Sequence, residues 1–314
     1  MRPFFIMILL DGIGIAPNGS PDPLRSSLPW LRELDQENPL PIISDGWAVP
    51  TRADLGVPGL PQSGTGHTAI LTGVNAALAV GRHVPGFPTP TLKRIIQAGN
   101  LLKRLNGAGF KASYVNALRP THPIVRRRGL QSASTLAALS SGERLRGLED
   151  IEDGRALHHD FTNQILIEQG EILPSWSPKE AGRRLARMAL DSDLVLFEYF
   201  MTDLAGHSQD LREAHSQLGR INEFIQGLLE EADLTRGHLL VCSDHGNLED
   251  LSVRTHTRNP VPTLIWGPQA HELAKRTGSI EQIAPTVLNL MHEARSAAGA
   301  TTAGRTGAHL EVEG

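Results

Sequence analysis

Carboxylates and imidazoles suited to a divalent metal fall in four short stretches of this sequence. They are Asp11; Asp203 with His207; and Asp244-His245 with His256, joined by the Ser63 hydroxyl in the turn Gln62-Ser63-Gly64-Thr65-Gly66 as the fourth stretch. Carboxylate, imidazole and alkoxide together suit Zn²⁺ or Mn²⁺ better than Ca²⁺, which takes oxygen ligands alone. Asp203-x-x-x-His207 puts two ligands on one side of a helical turn. A hydroxyl in the Gly-rich turn before Thr68–Leu71 lies where backbone N–H groups and a helix dipole stabilise an attacked anion. Each stretch also has a plainer reading. Asp11 beside Gly12 suits a turn, the Ser63 and Thr65 hydroxyls suit an N-cap, and Asp and His recur at this spacing by chance.

The elements that must position these residues are legible in part. Phe4–Leu10 and Leu239–Cys242 are apolar runs that read as strands buried on both faces, and Asp193–Phe200 is a largely apolar third. Each ends in a candidate ligand stretch, the carboxyl edge where open α/β folds place their sites. Helical spacing is expected over Leu92–Leu105, Thr135–Leu139, Lys179–Leu190 behind Pro178, Leu211–Glu231 and Ile280–Met291. Phe110–Ala117 reads as a strand, and residues 16–61 as long loops around a strand or two. Pro260 and Pro262 withhold ladder donors, so Thr263–Trp266 is expected at a sheet edge or pairing only beyond Pro262.

Composition excludes some roles. The 314 residues are 40% hydrophobic, enough for a sizeable core, and the formal charge of −4 gives no basic footprint. Nucleic acid and anionic membrane surfaces are therefore not expected partners. The seven apolar residues Phe4–Leu10 are too few to span a bilayer and lack a cleavage pattern, so a soluble cytoplasmic protein is expected. Cys242, the only cysteine, rules out an intrachain disulfide and a thiolate zinc cage, and reads as a core residue. Arg126-Arg127-Arg128 is either a solvated face or, over a cleft, a phosphate clamp. His158-His159-Asp160 is either an exposed loop or a further ligand source.

In order and in lettering, Asp11-Gly12, Ser63-x-x-Gly66-His67, Asp203-x-x-x-His207, Ser243-Asp-His-Gly-Asn247 and His256-Thr-x-Asn-Pro-Val-Pro262 resemble the metal-site motifs of cofactor-independent phosphoglycerate mutase and the wider alkaline phosphatase superfamily. Ile280–Leu290 is similar to the superfamily's closing helix. The resemblance covers residues 1–80 and about 178–292. It implies an α/β three-layer sandwich with a mostly parallel central sheet. That core would comprise 1–80 and 178–292, with a small inserted cap over 81–177 and a flexible tail over 293–314.

Carried over, the resemblance implies that Asp203, His207 and His256 hold one metal. Asp11, Asp244 and His245 would hold the other, with Ser63 between the two as nucleophile. The family's Ser-Glu-Val-Gly-His is here Ser63-Gly64-Thr65-Gly66-His67, which keeps the serine and offers Thr65 as a rival. The stretch from Ser63 to Asp203 is too short for the mutase's large inserted domain, and no residue here is assigned to that enzyme's active-site lysine. The expected function is a two-metal (Zn²⁺ or Mn²⁺) hydrolase of a small-molecule phosphate monoester, with diesters and sulfate esters as wider candidates. A phosphomutase with a reduced cap and an inactive metal-binding protein are the alternatives. Nothing in the sequence speaks to oligomeric state.

Overall fold

A computed structural model describes residues 3–119 and 131–306. Arg126, Arg127 and Arg128 lie outside the described residues, as do residues 307–314 of the expected tail. Seven strands form one sheet: β1 (Phe5–Leu10), β2 (Leu40–Ile42), β3 (Gly46–Thr51), β4 (Ala112–Tyr114), β5 (Leu194–Tyr199), β6 (His238–Ser243) and β7 (Val261–Trp266). Their order is β2-β3-β7-β6-β1-β5-β4. The run β6-β1-β5-β4 is parallel, and β7, β3 and β2 extend it antiparallel.

Side-chain alternation along each strand builds two cores. Ile6, Ile8 and Leu10 of β1 join Val195, Phe197 and Tyr199 of β5 on one face, under the helices Pro178–Met188 and Leu211–Glu231. Phe5, Met7 and Leu9 join Leu194 and Leu196 on the other, under the helices Ser63–Thr72, Pro90–Ala98, Leu101–Gly107 and Ala133–Ser140. Apolar burial on both faces explains why these strands read as continuous hydrophobic runs. The result is a three-layer α/β sandwich.

Local chemistry sets the helix starts. Ser177 accepts the Glu180 N–H ahead of Pro178, and Asp210 accepts the Arg212 and Glu213 N–H groups at the head of the 21-residue helix. Asn100 does the same for Lys103, which splits the single helix expected over Leu92–Leu105 into two at Gly99-Asn100.

Three expectations need correction. β7 is an internal strand between β3 and β6, not an edge. Its Pro262 lies directly opposite Pro50 of β3, while pairing to β6 begins only at Leu264, so the missing donors fall where little ladder is lost. Residues 81–177 are not wholly a cap: β4 is an edge strand of the main sheet, and Leu92, Ile96, Leu101 and Leu105 pack into its core. Only a sheet-scale contact pattern, invisible in this short Ala112–Tyr114 strand, reveals that. The closing helix runs from Ile283 to Thr306, past the expected end at Met291.

Candidate metal centre

Strand register gathers the candidate residues. Leu10 pairs with Tyr199 of β5 on one side and Ser243 of β6 on the other. Asp11, Phe200 and Asp244 therefore leave the sheet side by side. Because β7 is antiparallel to β6, the segment preceding it brings His256 to the same edge.

Asp203 and His207 share the helix Met201–Ser208, which starts directly after β5. His207 Nε2 is 3.3 Å from Asp203 Oδ2 and 3.3 Å from His256 Nε2, and His256 Nε2 is 3.5 Å from Asp203 Oδ1. Both histidines direct Nδ1 to a backbone carbonyl, His207 to Arg254 O and His256 to Pro61 O, each at 2.9 Å. Those bonds put the proton on Nδ1 and leave two Nε2 lone pairs converging beside a carboxylate. A cation is what such an arrangement fits.

The second group is buried. His245 Nε2 lies 3.2 Å from Asp11 Oδ1 and 3.4 Å from Asp244 Oδ2. Asp11 Oδ1 and Asp244 Oδ2 are buried oxygens without a hydrogen-bond partner, as expected of atoms that would hold a metal. Ser63 Oγ is 2.9 Å from His245 Nε2. In each triad the ligand atoms lie within 4.8 Å of one another. The structure thus brings all seven candidate residues to one sheet edge, and their donor types fit divalent cations.

Ser63 opens its helix, which begins five residues earlier than the Thr68 start expected from the sequence. The glycines that obscured it serve close packing: a Cβ on Gly66 would come within 2.9 Å of Asp244 Cβ and O. Gly12, at φ +74°, is similarly confined, with Asp203 Oδ1 at 2.7 Å from its would-be Cβ. Thr65, the rival hydroxyl, is fully buried. It donates to Gln62 O at 3.1 Å and accepts from Val84 N at 3.3 Å.

Sequence reasoning missed Glu198 and gave His67 no role. His67 Nε2 lies 3.1 Å from Asp244 Oδ2 and 3.6 Å from Asp11 Oδ2, while its Nδ1 is 3.5 Å from Glu198 Oε1. Asp11, His67 and Glu198 form a third ligand-like group. Glu198 is hidden in the apolar run of β5 and is identified only by its direction, with Tyr114 Oη donating to it at 3.1 Å. Asn247 Nδ2 donates to Asp203 Oδ1 at 2.6 Å and holds that carboxylate in place.

Clustered carboxylates without a cation draw protons. Burial and the neighbouring Asp244 carboxylate push Asp11 up to about 6. Burial opposes charging His67 and His245, but the surrounding carboxylates, Asp244 foremost with Asp11 beside it, together outweigh it and raise them to about 10 and about 9. Asp244 moves down despite burial, because His245 and His67 face it. His158 and His159 do not enter any ligand group among the described residues. His158 is buried and bonded through Nδ1 to Asp160 Oδ1 at 2.7 Å, correcting the exposed-loop reading, and His159 stacks on Phe200 at 4.5 Å.

A cavity of about 390 Å³ opens over Ser63, Asp11 and Asp203. A larger one of about 820 Å³, lined by Pro17, Asp22, His215 and Asp250, contains none of the seven candidate residues, and the chemistry belongs with the smaller. No helix among the described residues is long and apolar enough to cross a membrane.

The chain is 33% identical over 128 residues to the 2,3-bisphosphoglycerate-independent phosphoglycerate mutase of Desulforudis audaxviator, covering 38% of this chain and 25% of that one. It is 34% identical over 140 residues to the enzyme of the same name from Cereibacter sphaeroides, covering 42% and 27%. The chain thus matches about a quarter of the length of these curated relatives. Two solved structures share its fold. PH0037 from Pyrococcus horikoshii matches with TM-score 0.57 and 19% identity over 93% of this chain and 97% of that one. The alkaline phosphatase of the Antarctic bacterium TAB5 matches with TM-score 0.52 and 12% identity over 93% and 98%. The Metalloenzyme superfamily model matches residues 3–294, and the chain belongs to that superfamily.

Proposed function

We propose that this chain is a two-metal hydrolase that cleaves a small-molecule phosphate monoester through a phosphoseryl intermediate at Ser63. The observation that carries this reading is the position of Ser63 Oγ, 2.9 Å from His245 Nε2 and facing the cavity beside Asp11 and Asp203. Asp203, His207 and His256 would hold one cation, and Asp11, Asp244 and His245, with Ser63, the other. Two Zn²⁺ or Mn²⁺ ions, when bound, supply Lewis acidity that lowers the pKa of a hydroxyl and offsets phosphoryl charge.

Ser63 Oγ forms the bond to phosphorus as the ester oxygen departs in line. The hydroxyl proton goes to solvent, and the leaving alkoxide takes one up. Water then attacks the phosphoserine, breaking the Oγ–P bond and releasing inorganic phosphate. Gln62 provides no side-chain cap to the Ser63 helix, so its amino terminus favours the phosphoryl oxygens. Thr65 is the weaker nucleophile, because its hydroxyl is buried and bonded to Gln62 O.

A second reading, a phosphomutase that returns the phosphoryl group to its substrate, is favoured by the names of the sequence relatives. Turnover in ¹⁸O-labelled water separates them. Label in free phosphate supports the hydrolase, and isomer formation without phosphate release defeats it. No turnover of monoester, diester or sulfate ester with Zn²⁺ or Mn²⁺ would leave a metal-binding protein without activity.

A further inference from the structure

The cavity over Ser63 is lined by both polar and apolar side chains. At its floor lie Asp11, Asp203 and Ser63, where a phosphoryl group would sit. Its lining also carries Phe87, Leu118, Phe200 and Leu204, beside the polar side chains of His67, Tyr114, His159 and Glu198. Phe87 is 42% exposed and Leu204 52% exposed, so two large apolar side chains of the lining keep uncovered surface. Phe200 is held by stacking against His159 at 4.5 Å and 28°, which presents a fixed flat face. Among the described lining residues there is no lysine or arginine.

We infer that the alcohol part of the ester carries a flat apolar or aromatic body, seated against Phe87, Leu118, Phe200 and Leu204. This assignment rests on the hydrolytic reading of Ser63 and names the substrate class for that site. A cavity of about 390 Å³ admits one ring system with a short linker to phosphate.

The test compares three monoesters on the Mn²⁺-loaded full chain: 2-phenylethyl phosphate, ethyl phosphate and 3-phosphoglycerate. The first two leave as neutral primary alkanols, so their ratio reads ring burial rather than bond strength. Burial of a phenyl ring gives an expected kcat/KM ratio of about 10–100-fold in favour of 2-phenylethyl phosphate over ethyl phosphate, with 3-phosphoglycerate also poorer than 2-phenylethyl phosphate. Phe87→Ala should narrow the first ratio by about 3–10-fold, since it removes one wall of the ring site. Calorimetric binding of 2-phenylethylphosphonate against ethylphosphonate reads the same pocket without turnover. Equal phosphonate affinities, or preference for 3-phosphoglycerate, overturn the assignment. Absence of hydrolysis with the phosphonate preference intact overturns the hydrolytic reading alone.

Discussion

Glu249 Oε2 accepts the backbone N–H of Gly14 at 2.9 Å, joining residues 235 positions apart. The same buried carboxylate accepts the Asn247 N–H at 2.8 Å, Asn259 Nδ2 at 3.0 Å and the Thr257 hydroxyl. It thereby ties the loops after β1 and β6 to the segment before β7, the three loops that carry Asp11, Asp244 and His256. Glu249→Ala strands several buried donors at once, at about 1–3 kcal/mol for the first and less for those that find water. We expect a total loss of about 3 kcal/mol in denaturant unfolding and a weaker affinity for Mn²⁺. Unchanged stability would show that these loops are held by their strands alone.

Metal removal should leave a protonated site. With His67 raised to about 10 and His245 to about 9, both imidazoles are cationic in the metal-free protein at pH 7.5. A cation at the Asp11–Asp244–His245 group must displace the His245 proton, so affinity should rise with pH from 6.5 towards 9 and level off above the folded pKa. Mn²⁺ titrations in buffers of different ionisation enthalpy count the protons released. Affinity independent of pH over that range would mean the metal does not bind through His245. The chelated protein should also melt lower than the loaded one, because a metal held by the folded site and not by the unfolded chain adds its binding free energy to stability.

Much of this centre was legible because its parts are local signals. Asp11, Asp203 and Asp244 each follow an apolar run, and a parallel sheet with aligned carboxyl ends does the rest. What was not legible depends on register or on direction. Glu198 looks like an interruption of a hydrophobic strand until β5 is paired, and Glu249 carries no pattern at all, since its partners are backbone and side-chain donors spread over three loops. The glycines of the Ser63 helix misled about its start, because close approach to Asp244 rather than helix propensity decides residue type there. Pro260 and Pro262 pointed to an edge strand or to pairing only beyond Pro262; the strand is internal, its pairing to β6 does begin beyond Pro262, and on the β3 side Pro262 sits opposite Pro50.

The two hydroxyls of the Ser63 helix should behave differently on removal. Ser63→Ala is expected to lower kcat by about 10³-fold or more while leaving metal content unchanged, since Asp11, Asp244 and His245 remain. Thr65→Ala should keep most activity and lower stability by about 1 kcal/mol, through its lost bonds to Gln62 O and Val84 N. Steady-state kinetics with metal analysis on both variants checks this. Full activity in Ser63→Ala, with loss in Thr65→Ala, would exchange their roles.

Acid should loosen the His158–Phe161 turn before the rest of the core. Asp160 is buried, which alone would raise its pKa, yet the His158 hydrogen bond and the Ile165 N–H bring it down to about 2. A carboxylate whose folded pKa is depressed stabilises above the unfolded value near 4 and loses that contribution as pH falls towards the folded value. The window is therefore pH 4 to 2, and the contribution at neutral pH is about 2 kcal/mol. Asp160→Asn should flatten the stability profile over that window and lower the plateau above it. Its effect should reach the centre, because His159 links this turn to Phe200, the residue that caps the helix bearing Asp203 and His207. If Asp160→Asn keeps the wild-type slope between pH 4 and 2, acid sensitivity resides in other carboxylates and the turn is held by its aromatic stack instead.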